Sequence, residues 1–435
     1  MNKKVTIAAP VRTLSGYGAR SRDFVSSLID LGYDVDIIAT PWGDTPQTAL
    51  VLTDPKHRAI HERIIPQLTY KPEIWIQCTI PNEFQAVGDY NIGLTAGIET
   101  TLCKPEWIEG CNRMHLVLTS SEHSKRVFES TIFEKKNEGS DVVIEVLKLT
   151  APCEVLFEGI DTNIFKKITC NDSTVNSLMK TVTEDYAFLF VGHWLQGDLG
   201  ADRKDIGMLI HTFYNTFKRK APQNRPALVL KTSHANFSNL ELLSLQNKIQ
   251  TIGELIKDQG HEGSLPNVYV IHGELSDNEM NSLYNHEKIK AMVSFTKGEG
   301  FGRPLLEFTA TGKPVIASGW SGQLDFLNQE ACYLLPGQIT QVAPSAVNNW
   351  IMAESGWFTV NYTYASQILD SCHKLYAKFL DTSKKHINIT KNKFSLEMMK
   401  NKIEDIFNNL DQFKETKLIS SPELTTFKIP EFKEQ

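Results

Sequence analysis

The chain has 435 residues, 41% hydrophobic and 22% charged, with 26 Gly and 18 Pro. That length exceeds a usual single domain, so two domains are expected, and the balance excludes disordered, collagen-like and low-complexity classes. Lys+Arg at 45 against Asp+Glu at 51 gives a net charge of −6, which supplies no global attraction to nucleic acid or an anionic membrane and leaves only local basic clefts. The seven cysteines (Cys78, Cys103, Cys111, Cys153, Cys170, Cys332, Cys372) form no CxxC pair and no zinc spacing. They point to reduced thiols and a cytoplasmic setting. The apolar stretch Val5 to Ala9 is too short for a signal-peptide core, and no window is long and apolar enough to span a membrane.

In chain order, Val5 to Ala9 reads as a strand, Leu14 to Gly18 as a glycine-containing loop, and Arg22 to Leu31 as a helix stopped by Gly32. Asp34 to Ala39 is the next strand, completing the opening of a parallel sheet. Ile74 to Cys78, Asn91 to Thr95 and Leu116 to Thr119 are further buried strands, and Ser121 is a good N-cap for a helix through Phe128. Segment 134–142 is charged and reads as a surface loop. A second alternating series begins near Ala187, with strands at 188–192, 228–230, 268–273, 291–294 and 314–318. Asp205 to Arg219 is an amphipathic helix with Ile206, Leu209, Ile210, Phe213 and Phe217 at helical spacing; Leu240 to Leu255 and Leu396 to Leu410 are also helical. Two parallel sheets are therefore expected, joined around 158–182 and facing a cleft where two substrates meet.

The densest chemical signal is Thr296-Lys297-Gly298-Glu299-Gly300-Phe301-Gly302-Arg303-Pro304-Leu305-Leu306-Glu307, directly after a strand. Its glycines let a ligand approach the backbone. Pro304 suits the first turn of a helix running to Thr311, whose free N–H groups face the loop. Glu299 and Glu307 then flank one extended ligand. A glycine-rich turn with a surface glutamate is the plainer reading, but strand, loop, Pro-started helix and both acids coincide here.

Glu299 to Glu307 resembles the E-x7-E motif of retaining nucleotide-sugar glycosyltransferases of the GT-B fold, family GT4. Other segments agree in order: Val117 to Lys125, Glu158 to Phe165, Phe190-Val191-Gly192 with Arg203-Lys204-Asp205, Gly312 to Ser318, and Phe394 to Glu397. The resemblance implies an α/β GT-B fold of two Rossmann-like domains facing a central cleft. Residues 1–165 would be the acceptor-side domain and 166–395 the nucleotide-sugar domain, with 396–435 a helix and tail packing back toward the first. It implies that Glu299 contacts the donor sugar hydroxyls and Glu307 the ribose. The backbone of Gly300, Phe301 and Gly302 would hold the sugar and diphosphate, and Arg203 and Lys204 would neutralise the leaving diphosphate. Elementary chemistry agrees, because cleaving a sugar–phosphate bond builds negative charge that preplaced cations stabilise. An ordinary solvated pair before a helix is the alternative for Arg203-Lys204.

This chain departs from the family pattern in carrying His193-Trp194 where an arginine is common, with an insert from Leu195 to Asp202. The segment Gly319 to Gln323 is a further candidate to present N–H groups to phosphate. Lys231 is either a phosphate contact or structural, and the base is expected near the backbone of His272-Gly273-Glu274-Leu275. In the first domain Gly16 and Gly18 resemble the family's glycine loop, near the diphosphate or acceptor, or form only a tight turn. Glu99 or Glu83 is a polar contact to the reacting hydroxyl, or caps a helix; Asn82 and Trp42 line an acceptor pocket, or Trp42 packs in the core. His123 reads as a helix-surface residue.

No Asp-x-Asp at a strand end and no His/Cys ligand cluster calls for a metal, and the resemblance implies metal-independent front-face transfer with no cofactor beyond the donor. The expected activity is hexosyl or pentosyl transfer from a nucleotide sugar to a saccharide or glycoconjugate. Segments such as Pro41-Trp42-Gly43-Asp44 also resemble glycosyltransferases of tailed bacteriophages, which opens a hydroxymethylated DNA base as acceptor and the host cytoplasm as location. Net charge counts against DNA; Lys218-Arg219-Lys220 and Lys384-Lys385 are the local exceptions. An inactive nucleotide-sugar-binding protein is the other class, and a phosphorylase lacks its cofactor-lysine motif here.

Overall fold

Short apolar runs bounded by glycine and polar loops become the strands of two parallel sheets in the computed structural model, which describes residues 4–136, 143–194, 196–233 and 237–413. The chain forms two units: residues through Gly159 together with the segment from Leu396, and Ile160–Ser395. The first boundary thus falls ahead of the expected 165.

In the first unit, β1 (Lys4–Ala9), β2 (Asp34–Ala39), β3 (Ile74–Cys78), β4 (Tyr90–Leu94) and β5 (Leu116–Thr119) lie in one sheet. With β6 (Ile132–Lys136), β7 (Val143–Lys148) and β8 (Cys153–Val155) numbered in turn, its order is β2-β1-β3-β4-β5-β8, all parallel. Alternate side chains go to opposite faces. Val5, Ile7, Ile37, Ile76, Ile92 and Leu118 pack on Phe24, Val25 and Leu28 of helix Gly16–Asp30. The same core takes Met399, Ile403, Ile406 and Phe407 of helix Leu396–Asn408, one stripe of that helix. Ala8, Ile38, Trp75 and Val117 face the other way, onto helices Pro105–Asn112 and Glu122–Ser130.

Two local expectations are corrected. The stretch from 134 is not a loop throughout: Glu134 to Lys136 belong to β6, which pairs antiparallel with β7, Phe133 opposite Leu147 and Glu134 opposite Val146. Residues 137–142 lie outside the described residues. The first helix starts at Gly16 rather than Arg22, because Ser15 Oγ accepts the Gly18 N–H at 3.0 Å and so caps the turn.

In the second unit, β9 (Ala187–Val191), β10 (Ala227–Lys231), β11 (Val268–Ile271), β12 (Ile289–Ser294), β13 (Val315–Ser318) and β14 (Tyr333–Leu335) run parallel in the order β11-β10-β9-β12-β13-β14. A separate antiparallel pair is β15 (Gly337–Gln341) with β16 (Gly356–Val360). Phe188, Phe190, Leu228, Leu230 and Val293 bury against helix Ile206–Phe217 through the expected Ile206, Leu209, Ile210, Phe213 and Phe217. Helices Ser173–Met179, Asn239–Asp258, Asp277–Asn285, Arg303–Thr309, Tyr362–Lys374, Tyr376–Ser383 and His386–Lys393 also belong to the unit. From β9 the chain builds the sheet to one side through β10 and β11, then crosses to the other through β12. The loops leaving the carboxyl ends of β9 and β12 therefore diverge, which opens a crevice at that point of the sheet.

Phe213 is fully buried and meets Phe188 and Phe217 at ring-centroid distances of 6.4 and 5.1 Å. Phe213→Ala is expected to destabilise the second unit by about 3–5 kcal/mol, read as a lowered urea midpoint.

Candidate active site

The crevice of the second unit is floored by the acidic, glycine-rich segment after β12. Gly302 has φ +97°, a conformation that favours glycine, and it starts helix Arg303–Thr309 with Pro304 in the first turn. This helix ends at Thr309, just short of the expected Thr311. The loop after β13 is stitched to it. Gly322 N–H donates to Glu299 O at 3.0 Å, and Ser321 Oγ accepts Glu299 N–H at 2.9 Å while donating to Gln323 Oε1 at 2.9 Å. Ser321 achieves this at φ +72°, a strained conformation for a non-glycine residue. A Cβ on Gly322 would stand 2.1 Å from Gly300 O. Within Gly319 to Gln323, where N–H groups for phosphate are expected, the two glycine N–H groups are engaged internally: Gly319 N–H goes to Leu335 O at 2.9 Å and Gly322 N–H to Glu299 O, which helps hold the acidic loop in place.

The loop after β9 supplies the cations. Lys297 N–H donates to Arg203 O at 2.7 Å, which sets the two loops side by side. Arg203 Nη1 donates to Gly298 O at 2.9 Å and stands 3.5 Å from Glu299 Oε2; Lys204 Nζ donates to Glu299 Oε1. Lys204 reaches there across Gly192, where a Cβ would come 3.6 Å from its Cε. Burial alone would raise the Glu299 carboxyl; the Lys204 and Arg203 charges outweigh it and hold Glu299 below its ordinary range. Lys231, at the end of β10, donates to Gly273 O at 2.7 Å, so these two expected donor contacts meet. Burial lowers its pKa, with Glu274 opposing.

Glu307 lies one to two turns into the helix and is buried. Tyr284 OH donates to its Oε2 at 2.9 Å and Arg303 Nε to its Oε1 at 3.0 Å. Burial pushes this carboxyl up to about 7, against the pull of Arg303 and with the push of Asp277. The Phe301 ring packs on Phe326, centroids 5.1 Å apart.

In the first unit, Gly16 and Gly18 belong to a helix turn rather than a loop. The Gly18 N–H is spent on Ser15, and a Cβ there would lie 2.3 Å from Thr13 O; Gly16 faces open space. Trp42 stacks on Tyr17 at 4.0 Å, and Tyr17 OH bonds Thr95 Oγ1 at 2.9 Å and accepts Ala96 N–H at 3.0 Å. Trp42 is thereby tied to the loop that carries half-buried Glu99. Asn82 and Glu83 sit at the end of β3, where Thr79 donates to the Glu83 carboxylate and burial raises its pKa. His123 is corrected: it is buried, not on the helix surface, and burial lowers it to about 4.

Tyr284, Arg303, Ser321 and the buried pair Asp205–Lys297 were not among the expected site residues. Tyr284 had a usable signal: Ser276 and Glu279 form a capping box that marks its helix. Among the described residues there is no group of His, Cys, Asp or Glu placed to hold a metal ion, and no helix is long and apolar enough to cross a membrane.

Residues 253–342, from the helix before β11 to just past β15, match the family described as Glycosyl transferases group 1. No curated protein sequence matches the chain. The structure is similar to a glycosyltransferase from Rickettsia africae ESF-5, with 13% identity and TM-score 0.61 over 94% of this chain and 99% of that one. It is similar to Anabaena Alr3699/HepE in complex with UDP-glucose, with 14% identity and TM-score 0.58 over 93% and 99%. It is also similar to sucrose-phosphate synthase from Thermosynechococcus elongatus, with 12% identity and TM-score 0.60 over 94% and 100%. The fold is therefore that of GT-B glycosyltransferases, two Rossmann-like parallel-sheet units, and the acidic loop lies inside the matched family segment.

Two predictions test this geometry. Gly322→Ala forces apart the loops that hold Glu299 and is expected to cost about 1–3 kcal/mol, read by thermal unfolding. Glu307 holds its proton more tightly when folded, so it contributes stability that is complete below its ordinary pKa of 4.5 and lost as pH rises through about 7. The parent should therefore lose stability relative to Glu307→Gln as pH rises from 5 to 8, the two melting curves diverging through about 7.

Proposed function

We propose that the chain moves a glycosyl group from a nucleotide-diphospho sugar to a hydroxyl acceptor. The observation that carries this reading is the convergence of Arg203, Lys204 and Glu299 at the carboxyl ends of β9 and β12. The sugar–phosphate bond breaks with its electron pair going to the diphosphate, and cations already fixed at that edge stabilise the charge without reorganising. In this reading the diphosphate takes over Arg203 and Lys204, with Lys231 beside them, and releases Glu299 to accept sugar hydroxyls. Glu307 accepts from the ribose hydroxyls, positioned by Tyr284 and Arg303, and the backbone of Gly300, Phe301 and Gly302 lies along the donor. The base sits by Gly273.

The resemblance of the Glu299–Glu307 segment to the E-x7-E motif suggests a GT4-like, retaining transfer without a metal. The acceptor oxygen bonds to the sugar carbon on the face the diphosphate leaves, and its proton passes to a diphosphate oxygen. Trp42, Asn82, Glu83 and Glu99 are the proposed acceptor-side residues of the first unit. A net charge of −6 favours a saccharide or glycoconjugate acceptor over the hydroxymethylated DNA base of a bacteriophage. All seven cysteines are free thiols, which supports work in a reducing cytoplasm.

A thermal-shift panel of UDP, GDP, ADP and CDP sugars tests the reading. One nucleotide class is expected to stabilise the chain, by about 2.7 kcal/mol at a hundredfold excess over Kd. The UDP-glucose complex of the Anabaena neighbour makes uridine the first choice. Glu299→Ala should cut transfer roughly 10²–10³-fold. Absence of any stabilisation, together with equal donor turnover by parent and Glu299→Ala, would leave a non-enzymatic protein. Radiolabelled transfer to saccharides or to hydroxymethylcytosine DNA separates the acceptors.

A further inference from the structure

The charges nearest the proposed phosphate site are not all in contact with it. Asp205 follows Arg203 and Lys204 directly, and Lys297 precedes Gly298 and Glu299; the two side chains are 0% and 1% exposed. Lys297 Nζ donates to Asp205 Oδ2 at 3.2 Å and to Thr359 Oγ1 at 3.2 Å, and it lies 5.6 Å over the Trp357 ring. Tyr362 OH donates to the same Asp205 oxygen at 2.6 Å. The other oxygen, Asp205 Oδ1, is buried with no hydrogen-bond partner among the described residues. Asp205 itself is left-handed, at φ +54° and ψ +35°, where it begins helix Ile206–Phe217.

A buried ion pair with an unsatisfied oxygen is a poor source of stability, because well-packed apolar side chains of similar volume do as well or better. What it does supply is a fixed register between two loops. Backbone and side chains lock the same three positions: Arg203 O receives Lys297 N–H, Arg203 and Lys204 run outward to Glu299, and Asp205 runs inward to Lys297. Lys297 O in turn receives Phe358 N–H at 2.9 Å, so the register extends to β16. We propose that Asp205, Lys297 and Tyr362 are positioning residues for the donor diphosphate. They hold the Arg203–Lys204 turn against the acidic loop, so that both cations meet the phosphates in one geometry. This rests on the nucleotide-sugar reading and adds to it residues that touch no donor atom.

The test compares UDP with uridine by calorimetry on the full chain, with GDP/guanosine and ADP/adenosine as parallel pairs. The nucleoside lacks the phosphates, so the ratio of the two affinities isolates the diphosphate. Asp205→Asn/Lys297→Met removes both charges together, keeps a residue type that tolerates the left-handed conformation, and avoids stranding one buried ion. It is expected to melt near the parent temperature, bind uridine unchanged, and bind UDP about tenfold more weakly, the loss of one well-placed charged hydrogen bond. Tyr362→Phe, which removes only a hydroxyl, should weaken UDP by a smaller factor in the same direction and serves if the double variant does not fold. A purely structural pair predicts otherwise: parental UDP binding in whichever variant folds, or equal losses for UDP and uridine, overturns the inference. A parent chain that binds uridine-, guanosine- and adenosine-diphosphate no better than the nucleosides removes the donor reading, and this inference with it.

Discussion

One carboxylate gathers the cations at the crevice of the second unit. Glu299 is shared by Arg203 and Lys204, adjacent cations that on their own would repel one another and spread the loop after β9. Gathered on Glu299, they sit beside the loop after β12 at a fixed distance, largely out of water. The net stabilisation from such a pairing is small, since desolvation offsets most of the attraction. Its consequence is a fixed arrangement: the cations are largely buried and held in place, the condition under which preplaced charges stabilise a developing charge most effectively.

The backbone beneath that carboxylate has little freedom. Gly302 must be left-handed to turn the chain into helix Arg303–Thr309, Gly322 must lack a side chain to lie on Gly300, and Ser321 is held at positive φ by bonds to Glu299 and Gln323. Strain of this kind persists only where surrounding contacts over-determine it. Here three loops, after β9, β12 and β13, fix one another, and each would be ill-defined without the other two.

The strands were legible because parallel strands covered on both faces read as unbroken apolar runs; Phe188 to Phe190 and Leu228 to Leu230 could hardly be anything else. Helix Ile206–Phe217 was legible from its apolar spacing, and the acidic loop because its glycines, proline and glutamates are neighbours in sequence. What the sequence concealed depends on partners that only the folded chain sets in place. The Gly16 start looked like a loop because glycine is a poor helix former, yet Ser15 caps it and Thr13 leaves room for nothing larger at Gly18. The charged strand β6 has no pattern of its own strong enough to stand without β7. Tyr284, or Asp205 with Lys297, stands out only once the fold sets Tyr284 on Glu307 and pairs Asp205 with Lys297.

The distribution of charge carries the functional argument further than the total does. The chain is acidic, at −6, yet the carboxyl edge around β9, β10 and β12 sets Arg203 and Lys204 against Glu299 and carries Lys231 at the end of β10. Lys231 is held by a neutral carbonyl, that of Gly273, and burial loosens its proton. An ammonium so placed gains more from an arriving anion than one already paired, because the anion repays a desolvation cost that the carbonyl offsets only in part. For Arg203 and Lys204 the exchange is different: an anion must displace Glu299, and a diphosphate, with more charge and more acceptor oxygens than a carboxylate, is suited to do so. In the nucleotide-sugar reading, these three cations together suit a diphosphate better than a single carboxylate, which would meet only part of their charge.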